Sequence, residues 1–305
     1  MTHRIEVPLV PECSACIIHS LGTLIPLLTD NEDDRFRLFA LAYSRLAVGF
    51  QKKTDPATLS IELYRELYEI SGVKDPYREL KAQSIEAAKE ALPAVERIVL
   101  GFSGYERLRA ALAASIAGNV IDFNTAGHET NLSELEGTFT QVMDEGFDLD
   151  DSRHLWQSLV ARQGDLLFIA DNAGENLFDI PLLHLLVELG WRVTYVVKGR
   201  PMINDATEED VRGTETEKLA DISNTGAWAH GVPRQWVSKE FLRKVDSSDL
   251  VLSKGQANIE TFPEIQRETN VETYYILKGK CPHISQAIGA KKGDNIVLRR
   301  PILDD

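Results

Sequence analysis

The sequence predicts an α/β protein with an N-terminal helical region followed by a C-terminal αβα sandwich built on a mainly parallel sheet. Apolar residues recur at helical spacing through the first half of the chain, whereas short β-branched runs alternate with helix-like segments through the second. The change falls near residue 163. It predicts two domains, a mainly helical one over residues 1–162 and a Rossmann-like one over residues 163–305.

The helical half is divided by turn residues such as Asp55-Pro56 and Asp75-Pro76. Pro93 is expected to kink or divide one long helix, because proline removes a helical hydrogen bond. We interpret the apolar stripes between these turns as core packing. They comprise Phe36, Phe39, Tyr43, Leu46 and Phe50, then Ile61, Tyr64, Leu67 and Tyr68, and finally Tyr105, Leu108, Leu112 and Ile116.

Five apolar runs in the second half are predicted to be strands. They are DLLFIA (165–170), RVTYVV (192–197), DLVLS (249–253), TYYIL (273–277) and NIVLR (295–299). In open α/β sheets, ligands bind beyond the carboxyl ends of the strands, so the residues that follow each run are the ones to inspect.

Composition excludes several classes of protein. A formal net charge of −14 argues against nucleic acid or an anionic membrane as a partner. No apolar run approaches the length of a membrane span, and Pro8, Pro11 and Glu12 interrupt the N-terminal segment where a signal peptide would be apolar. Three cysteines are too few for a disulfide scaffold, which predicts a cytoplasmic location.

Polar side chains follow four of the strand candidates. Asp171 and Asn172 come after the first and Asp205 lies after the second, and their oxygens suit a hard divalent cation. Lys254 and Lys280 follow the third and fourth, and lysines can meet the phosphate that such a cation holds. Each feature also has a structural interpretation. Asp-Asn is a common turn pair, and the TEED segment after Asp205 starts with a capping box.

Three segments together resemble the damage-control phosphatase family, also known as domain of unknown function family 89 or as acidic-residue-methyltransferase-like proteins. They are DNAGENLFD, VKGRPMINDATEED and SKGQANIE, while AGNVIDF and CSAC resemble the prokaryotic branch. The resemblance implies a helical region joined to an αβα sandwich. It also implies hydrolysis of phosphate monoesters, often phosphosugars or damaged metabolites, with Mn, Co, Ni or Mg.

The resemblance implies a role for individual residues. Asp171, Asn172 and Asp205 match metal-binding positions, Glu175 matches an acid beside them, and Lys254 matches a phosphate-binding lysine whose charge we expect to be mobile. The helical region's contribution to the cleft falls on Asn119 and Asp122. Gly255, Asn258 and Lys280 complete the predicted contacts with phosphate or substrate.

The chemistry follows from these roles. We expect water to be the nucleophile, because carboxylates committed to a metal attack phosphorus poorly, although a carboxylate nucleophile stays possible. Asp122 or Glu175 is expected to take the proton of the water.

The cysteines form a separate candidate site. Cys13 and Cys16 make a C-x-x-C pair, which is half of a structural zinc site, and Cys281 with His283 could supply the other half. A reversible disulfide and simple packing of free thiols are the alternatives.

Three functions of different classes remain open. The first is a metal-dependent phosphatase that acts on a small phosphorylated metabolite. The second is a Rossmann-like methyltransferase, which the absence of a glycine-rich loop after the first strand disfavours. The third is a non-catalytic protein that binds phosphometabolites. The sequence predicts neither the oligomeric state nor the substrate.

Overall fold

Six helices precede the first strand in the part of the chain that the structure describes. The computed structural model describes residues 5–120 and 132–300, and of residues 119, 120 and 132–136 it describes the backbone alone. The helices are α1 (Cys13–Leu28), α2 (Glu32–Lys52), α3 (Pro56–Ser71), α4 (Arg78–Leu100), α5 (Gly104–Val120) and α6 (Leu132–Glu145).

The ends of these helices have local causes. The Asn31 side chain accepts the N–H of Asp34 at the start of α2, and Asp55 accepts the N–H of Thr58 at the start of α3. Gly72 ends α3 in a left-handed conformation. Pro93 lies inside α4, which continues to Leu100, so the proline does not divide this helix.

The second half alternates strands with helices. In chain order it contains β1 (Leu149–Asp150), α7 (Ser152–Ala161), β2 (Asp165–Ile169), a 3₁₀ turn (Glu175–Asp179), α8 (Ile180–Glu188), β3 (Arg192–Val197), α9 (Glu208–Val211), α10 (Thr216–Leu219), β4 (Asp221–Asn224), α11 (Lys239–Asp246), β5 (Leu250–Lys254), α12 (Gln256–Thr261), α13 (Pro263–Thr269), β6 (Thr273–Lys278), α14 (Pro282–Ala287) and β7 (Asn295–Arg300).

The strands form one sheet in the order β1-β7-β6-β5-β2-β3-β4. All pairs are parallel except β6 with β7, which confirms a mainly parallel sheet. The five predicted strands are confirmed. The sequence analysis missed β1, which has two residues, and β4, whose DISN sequence lacks an apolar run.

Helices cover both faces of the sheet, which confirms the αβα sandwich. Leu166 and Phe168 of β2 lie in one core with α4, α5, α7 and α8, whereas Leu167 and Ile169 lie in another with α11 to α14. Alternate residues of a strand point to opposite faces, so one strand contributes to both cores. The α4 and α5 helices thus share a core with the sheet, and the division at residue 162 stays a prediction.

Helices α1 to α3 form a third core together with residues from the loops that follow β3 and β4. The loop residues are Met202, Ala227 and Ala229. The prediction of core packing is wrong for Phe36 and Tyr43 of α2, which are 67% and 49% exposed. The described helices include none with both the length and the apolar character needed to cross a bilayer.

A buried ion pair ties α4 to the α/β half. Lys81 is 2% exposed, and its Nζ lies 2.8 Å from Asp75 Oδ2 and 2.9 Å from Asp210 Oδ2. We predict that Lys81→Met lowers the free energy of unfolding by about 3–5 kcal/mol, because it leaves two carboxylates without their cation. Urea unfolding monitored by circular dichroism measures this change.

Lys89→Met is the matched control, since Lys89 pairs with Glu86 on the exposed face of the same helix. Its effect should stay within about 0.5 kcal/mol. Equal urea midpoints for the two variants would show that the buried pair does not stabilise the fold.

Candidate active site

The site lies where the order of strands in the sheet reverses. From β2 the chain proceeds outward through β3 and β4, and it then returns to β5 on the other side of β2. Ile169, the last residue of β2, pairs with Val196 and with Ser253. Residues Asp171, Lys198 and Gly255 each come two positions later, so they meet in the crevice where such sheets bind ligands.

Backbone hydrogen bonds hold the two predicted metal-binding loops together. Asn172 and Asp205 form an isolated antiparallel bridge. The N–H of Ala206 donates to Asp171 O at 2.9 Å, and the N–H of Ala173 donates to the carbonyl of residue 204 at the same distance. The structure therefore brings together Asp171, Asn172 and Asp205, the three predicted ligands.

Both carboxylates lie in an unfavourable environment for negative charge. Asp171 is 7% exposed and Asp205 is 2% exposed. The pKa of each is raised to about 6, mainly by burial. The charge of Asp205 adds to the shift of Asp171, and Lys198 opposes both shifts. Lys198 Nζ lies 3.6 Å from Asp205 Oδ2, an atom without a hydrogen-bond partner among the described residues.

Gly255 makes room for Asp171. Its φ is +91°, and a Cβ at this position would lie 2.1 Å from Asp171 Oδ2 and 2.2 Å from Cγ. The N–H of Gly255 donates to Ile276 O at 3.0 Å, so it is not available to a phosphoryl oxygen in this structure. Gly255 therefore contributes to the site through its lack of a side chain, which leaves room for the Asp171 carboxylate.

Lys254 is not the mobile charge that the sequence analysis expected. Its side chain is 1% exposed, and Nζ donates to Asp179 Oδ1 at 2.9 Å and to Glu175 O at 3.3 Å. Asp179 also accepts from Ser115 Oγ and from Tyr195 OH, each at 2.6 Å. Lys254 therefore holds the 3₁₀ turn that carries Glu175 in place. A contact of Lys254 with phosphate stays a prediction.

Sequence reasoning missed Asp179 and Lys198 as site residues. The signal for Asp179 was an acid inside the apolar run NLFDIPLL, since an acid buried there requires a cation. Lys198 directly follows β3, and its Nζ donates to Asn258 Oδ1 at 2.9 Å and to Ala170 O at 3.3 Å.

The remaining predicted residues differ in position. Asn258 is fully buried, and its Nδ2 donates to Ala170 O at 3.0 Å, so it supports the site from behind. Asn172 Nδ2 donates to Glu175 Oε1 at 2.8 Å. Lys280 is exposed, and its charge lowers the pKa of Asp171, so it lies near the site. The side chain of Asn119 and all of Asp122 lie outside the described residues.

The predicted cysteine site contains three thiols that lie near one another. Cys13, Cys16 and Cys281 are free thiols. Burial raises the pKa of Cys13 and of Cys16, and the charge of Cys281 adds to both shifts, so the three thiols are neighbours. His283 lies in α14. Whether these four residues bind a metal or form a disulfide stays a prediction.

A possible metal-binding triad occurs elsewhere in the described chain. One ligand atom from each of Glu96, His184 and Glu215 lies within 4.8 Å of the others. His184 Nε2 lies 3.0 Å from Glu215 Oε1. The sequence analysis did not identify this group, since its members are far apart in the chain and come from an apolar helix and two surface positions.

Gly255→Ala should displace the carboxylate of Asp171 from its present position. The added Cβ cannot coexist with the carboxylate, and calorimetry should detect at least a hundredfold weaker binding of Mn²⁺ than in the unsubstituted protein. Gly213→Ala is the control, because Gly213 has a φ of +74° but no atom within 4 Å of the added Cβ. Similar losses in both variants would assign the effect to backbone strain alone.

Asp205→Asn should stabilise the metal-free protein at pH 8. The folded-state pKa of Asp205 is raised from 3.8 to about 6, so ionising this carboxyl group lowers the free energy of unfolding. This loss of stability is complete above about pH 6 and becomes smaller as the pH falls below that value. The expected gain is on the order of 1–3 kcal/mol at pH 8, and it should shrink toward pH 5. Thermal unfolding in the presence of chelator, at pH 8 and at pH 5, measures the gain and its decrease.

The exposed Asp246→Asn provides the control for this pH series. A lower melting temperature for Asp205→Asn than for the unsubstituted protein at pH 8 would show that the ion pair with Lys198 outweighs the burial of the carboxylate.

Comparisons with known proteins agree with this geometry. The model of the "Damage-control phosphatase ARMT1-like domain" matches residues 9–296. A damage-control phosphatase of Pyrococcus horikoshii is 32% identical over 290 residues, 94% of this chain and 96% of that protein. One from Archaeoglobus fulgidus is 30% identical over 287 residues, 94% of this chain and 97% of that protein.

An uncharacterised protein of Methanocaldococcus jannaschii is 33% identical over 299 residues, 98% of this chain and 97% of that protein. The crystal structure of a DUF89 family protein from Pyrococcus horikoshii superposes with a TM-score of 0.85 at 31% identity. It covers 96% of this chain and 99% of that one. By sequence and by fold, this chain belongs to the ARMT1-like damage-control phosphatase family.

Proposed function

We propose that this protein is a metal-dependent phosphatase that hydrolyses a phosphate monoester of a small metabolite, such as a phosphosugar or a damaged phosphometabolite. One observation carries the proposal. Four buried carboxyl groups, those of Asp171, Glu175, Asp179 and Asp205, surround the two buried ammonium groups of Lys198 and Lys254. When all are ionised, this buried group has an excess of two negative charges, which one divalent cation would neutralise.

The residues present fit such a cation. Carboxylate and amide oxygens from Asp171, Asn172 and Asp205 are hard ligands of the type that Mg²⁺ and Mn²⁺ prefer. Asp205 Oδ2 is buried without a hydrogen-bond partner among the described residues, as expected of an atom reserved for a ligand. Gly255 leaves the space in which the Asp171 carboxylate sits.

The neighbouring residues orient these ligands. Glu175 Oε1 accepts the Asn172 amide N–H, which turns the amide oxygen of Asn172 away from Glu175 and leaves it as the ligand atom. Lys198, anchored on Asn258, lies close enough to Asp205 to reduce its repulsion from Asp171. When bound, the cation would polarise the phosphoryl oxygens and draw off negative charge in the transition state.

The substrate phosphate would lie between the cation and Lys280. Lys280 is exposed and acts on Asp171, whereas Lys198 and Lys254 are each 1% exposed. Water is the proposed nucleophile, because Asp171 and Asp205 are committed to the ion. Glu175 would accept its proton, and Asp122 is the alternative acceptor.

The proposal includes the cell compartment and the partners. A cytoplasmic location is supported by three free thiols, and the net charge of −14 supports a small metabolite over nucleic acid or a membrane. A methyltransferase is the weaker alternative, because the first βα loop carries DNAGE in place of a glycine-rich turn.

Hydrolysis of an aryl phosphate with and without metal tests the proposal. We expect turnover that requires added divalent cation and stops with chelator, with Mn²⁺, Co²⁺ or Ni²⁺ at least as effective as Mg²⁺. Asp171→Asn and Asp205→Asn should each reduce kcat/KM at least a hundredfold, because each removes a ligand charge.

Asp246→Asn is the matched control, an exposed acid in α11, and it should retain full activity. Undiminished turnover in excess chelator, with metal shown absent by elemental analysis, would refute metal dependence. Phosphate binding without any turnover would favour the non-catalytic alternative.

A further inference from the structure

Two arginines stack on a single tryptophan beside the site. The guanidinium carbon of Arg200 lies 3.9 Å from the ring centroid of Trp228, and that of Arg65 lies 5.8 Å from the same ring. Arg65 also lies 4.2 Å from the ring centroid of Trp236, and its Nε donates to Trp228 O at 2.5 Å. Aromatic faces and a carbonyl, not acids, therefore hold both cations.

Neither guanidinium group forms an ion pair within the described part of the chain. Among the residues that the structure describes, no carboxylate lies within 4.0 Å of the Arg65 or the Arg200 side chain. Burial lowers the pKa of Arg65, and the charge of Arg200 lowers it further, which outweighs the opposing effect of Glu62 and Glu69. In a chain with a net charge of −14, two adjacent cations that no acid contacts directly favour an external anion.

The pair lies at the same edge of the sheet as the metal ligands. Arg200 belongs to the loop between Lys198 and Asp205. The N–H of Gly199 donates to the carbonyl of residue 227 at 3.1 Å, and Trp228 Nε1 donates to the carbonyl of residue 201 at 2.8 Å. The loops after β3 and β4 are thus bound to each other, with Trp228 packed on the loop that ends at Asp205.

Helix α3 approaches this loop from the other side. Tyr68 OH accepts the N–H of Ile203 at 3.0 Å, and Arg65 precedes Tyr68 by one turn of the helix. His230 connects the two regions. Its Nε2 lies 2.8 Å from Ser60 Oγ, and its ring centroid lies 6.4 Å from that of Tyr64, the residue before Arg65. Burial lowers the pKa of His230, and the charges of Lys198 and of Arg65 lower it further, so both cations lie near this imidazole.

We propose that Arg65 and Arg200 form a second anion-binding subsite, and that the physiological substrate carries a second anionic group, phosphate or carboxylate, besides the phosphoryl group that is cleaved. A planar guanidinium binds either anion through two parallel hydrogen bonds. The exposed Arg200 would contact the anion directly, and the charge of the half-buried Arg65 would strengthen its binding. The identity of the cleaved group rests on the proposed function.

Three six-carbon substrates separate the possible second anions. Fructose 6-phosphate has none, fructose 1,6-bisphosphate has a phosphate, and 6-phosphogluconate has a carboxylate. We expect kcat/KM to favour at least one of the two latter over fructose 6-phosphate. Arg200→Gln should reduce this preference about ten- to a hundredfold, mainly through KM, because a charge-assisted contact is lost. The preferred compound identifies the second anion.

Arg192→Gln is the matched control. Arg192 pairs with Asp165 at the opposite end of β3, so its loss should leave the preference unchanged. Equal losses on all three substrates in Arg200→Gln would overturn the proposal and assign Arg200 to packing against Trp228. Absence of any preference in the unsubstituted protein would overturn it as well.

Binding to the metal-free protein tests the subsite independently of hydrolysis. In chelator, fructose 1,6-bisphosphate or 6-phosphogluconate should change the tryptophan fluorescence, and Trp228→Phe should lose this change. Arg65→Gln should weaken binding of the same compound at least tenfold. If neither compound binds the unsubstituted protein up to millimolar concentration, the proposal fails. If both bind but no substrate is hydrolysed, only the proposed function fails.

Discussion

The burial of excess negative charge is the constraint on which the rest of this structure depends. Asp171 and Asp205 lie side by side at the carboxyl edge of the sheet, almost removed from solvent. Isolated buried carboxylates are unfavourable, and burial accordingly raises the pKa of both. The two buried lysines offset only part of this charge, because each also has other partners. The buried carboxylates of Asp171 and Asp205 therefore create an electrostatic environment that favours a bound cation.

The order of the strands creates this constraint. Because β5 returns beside β2, the loop after β5 faces the loop after β2, and Gly255 meets Asp171. A side chain at residue 255 would displace the carboxylate. Helices α1 to α3 then pack on the loops that follow β3 and β4, through Met202 and Ala227. These three helices thus support the loop between β3 and α9, which carries Asp205.

The sequence predicted what depends on local pattern and missed what depends on long-range pairing. Runs of β-branched residues identified five strands, and the search beyond strand ends selected Asp171 and Asp205, which the structure brings together. The short, polar β4 carried no such pattern. The partner of Lys254 could not be predicted, because Asp179 is 75 residues away in the chain and meets it only after β2 and β5 pair. The exposure of Phe36 likewise depends on which face of α2 packs on α1 and α3.

The burial of the two lysines limits how the proposed anionic substrate could be bound. Lys198 and Lys254 are each 1% exposed and donate hydrogen bonds to protein oxygens, so neither ammonium group is exposed in this structure. Lys280 follows β6 and Arg200 follows β3, and both are exposed in a chain whose net charge of −14 disfavours anions. For the proposed phosphatase, discrimination between phosphorylated metabolites would then come from exposed residues such as these, whereas the buried carboxylates would hold the cation.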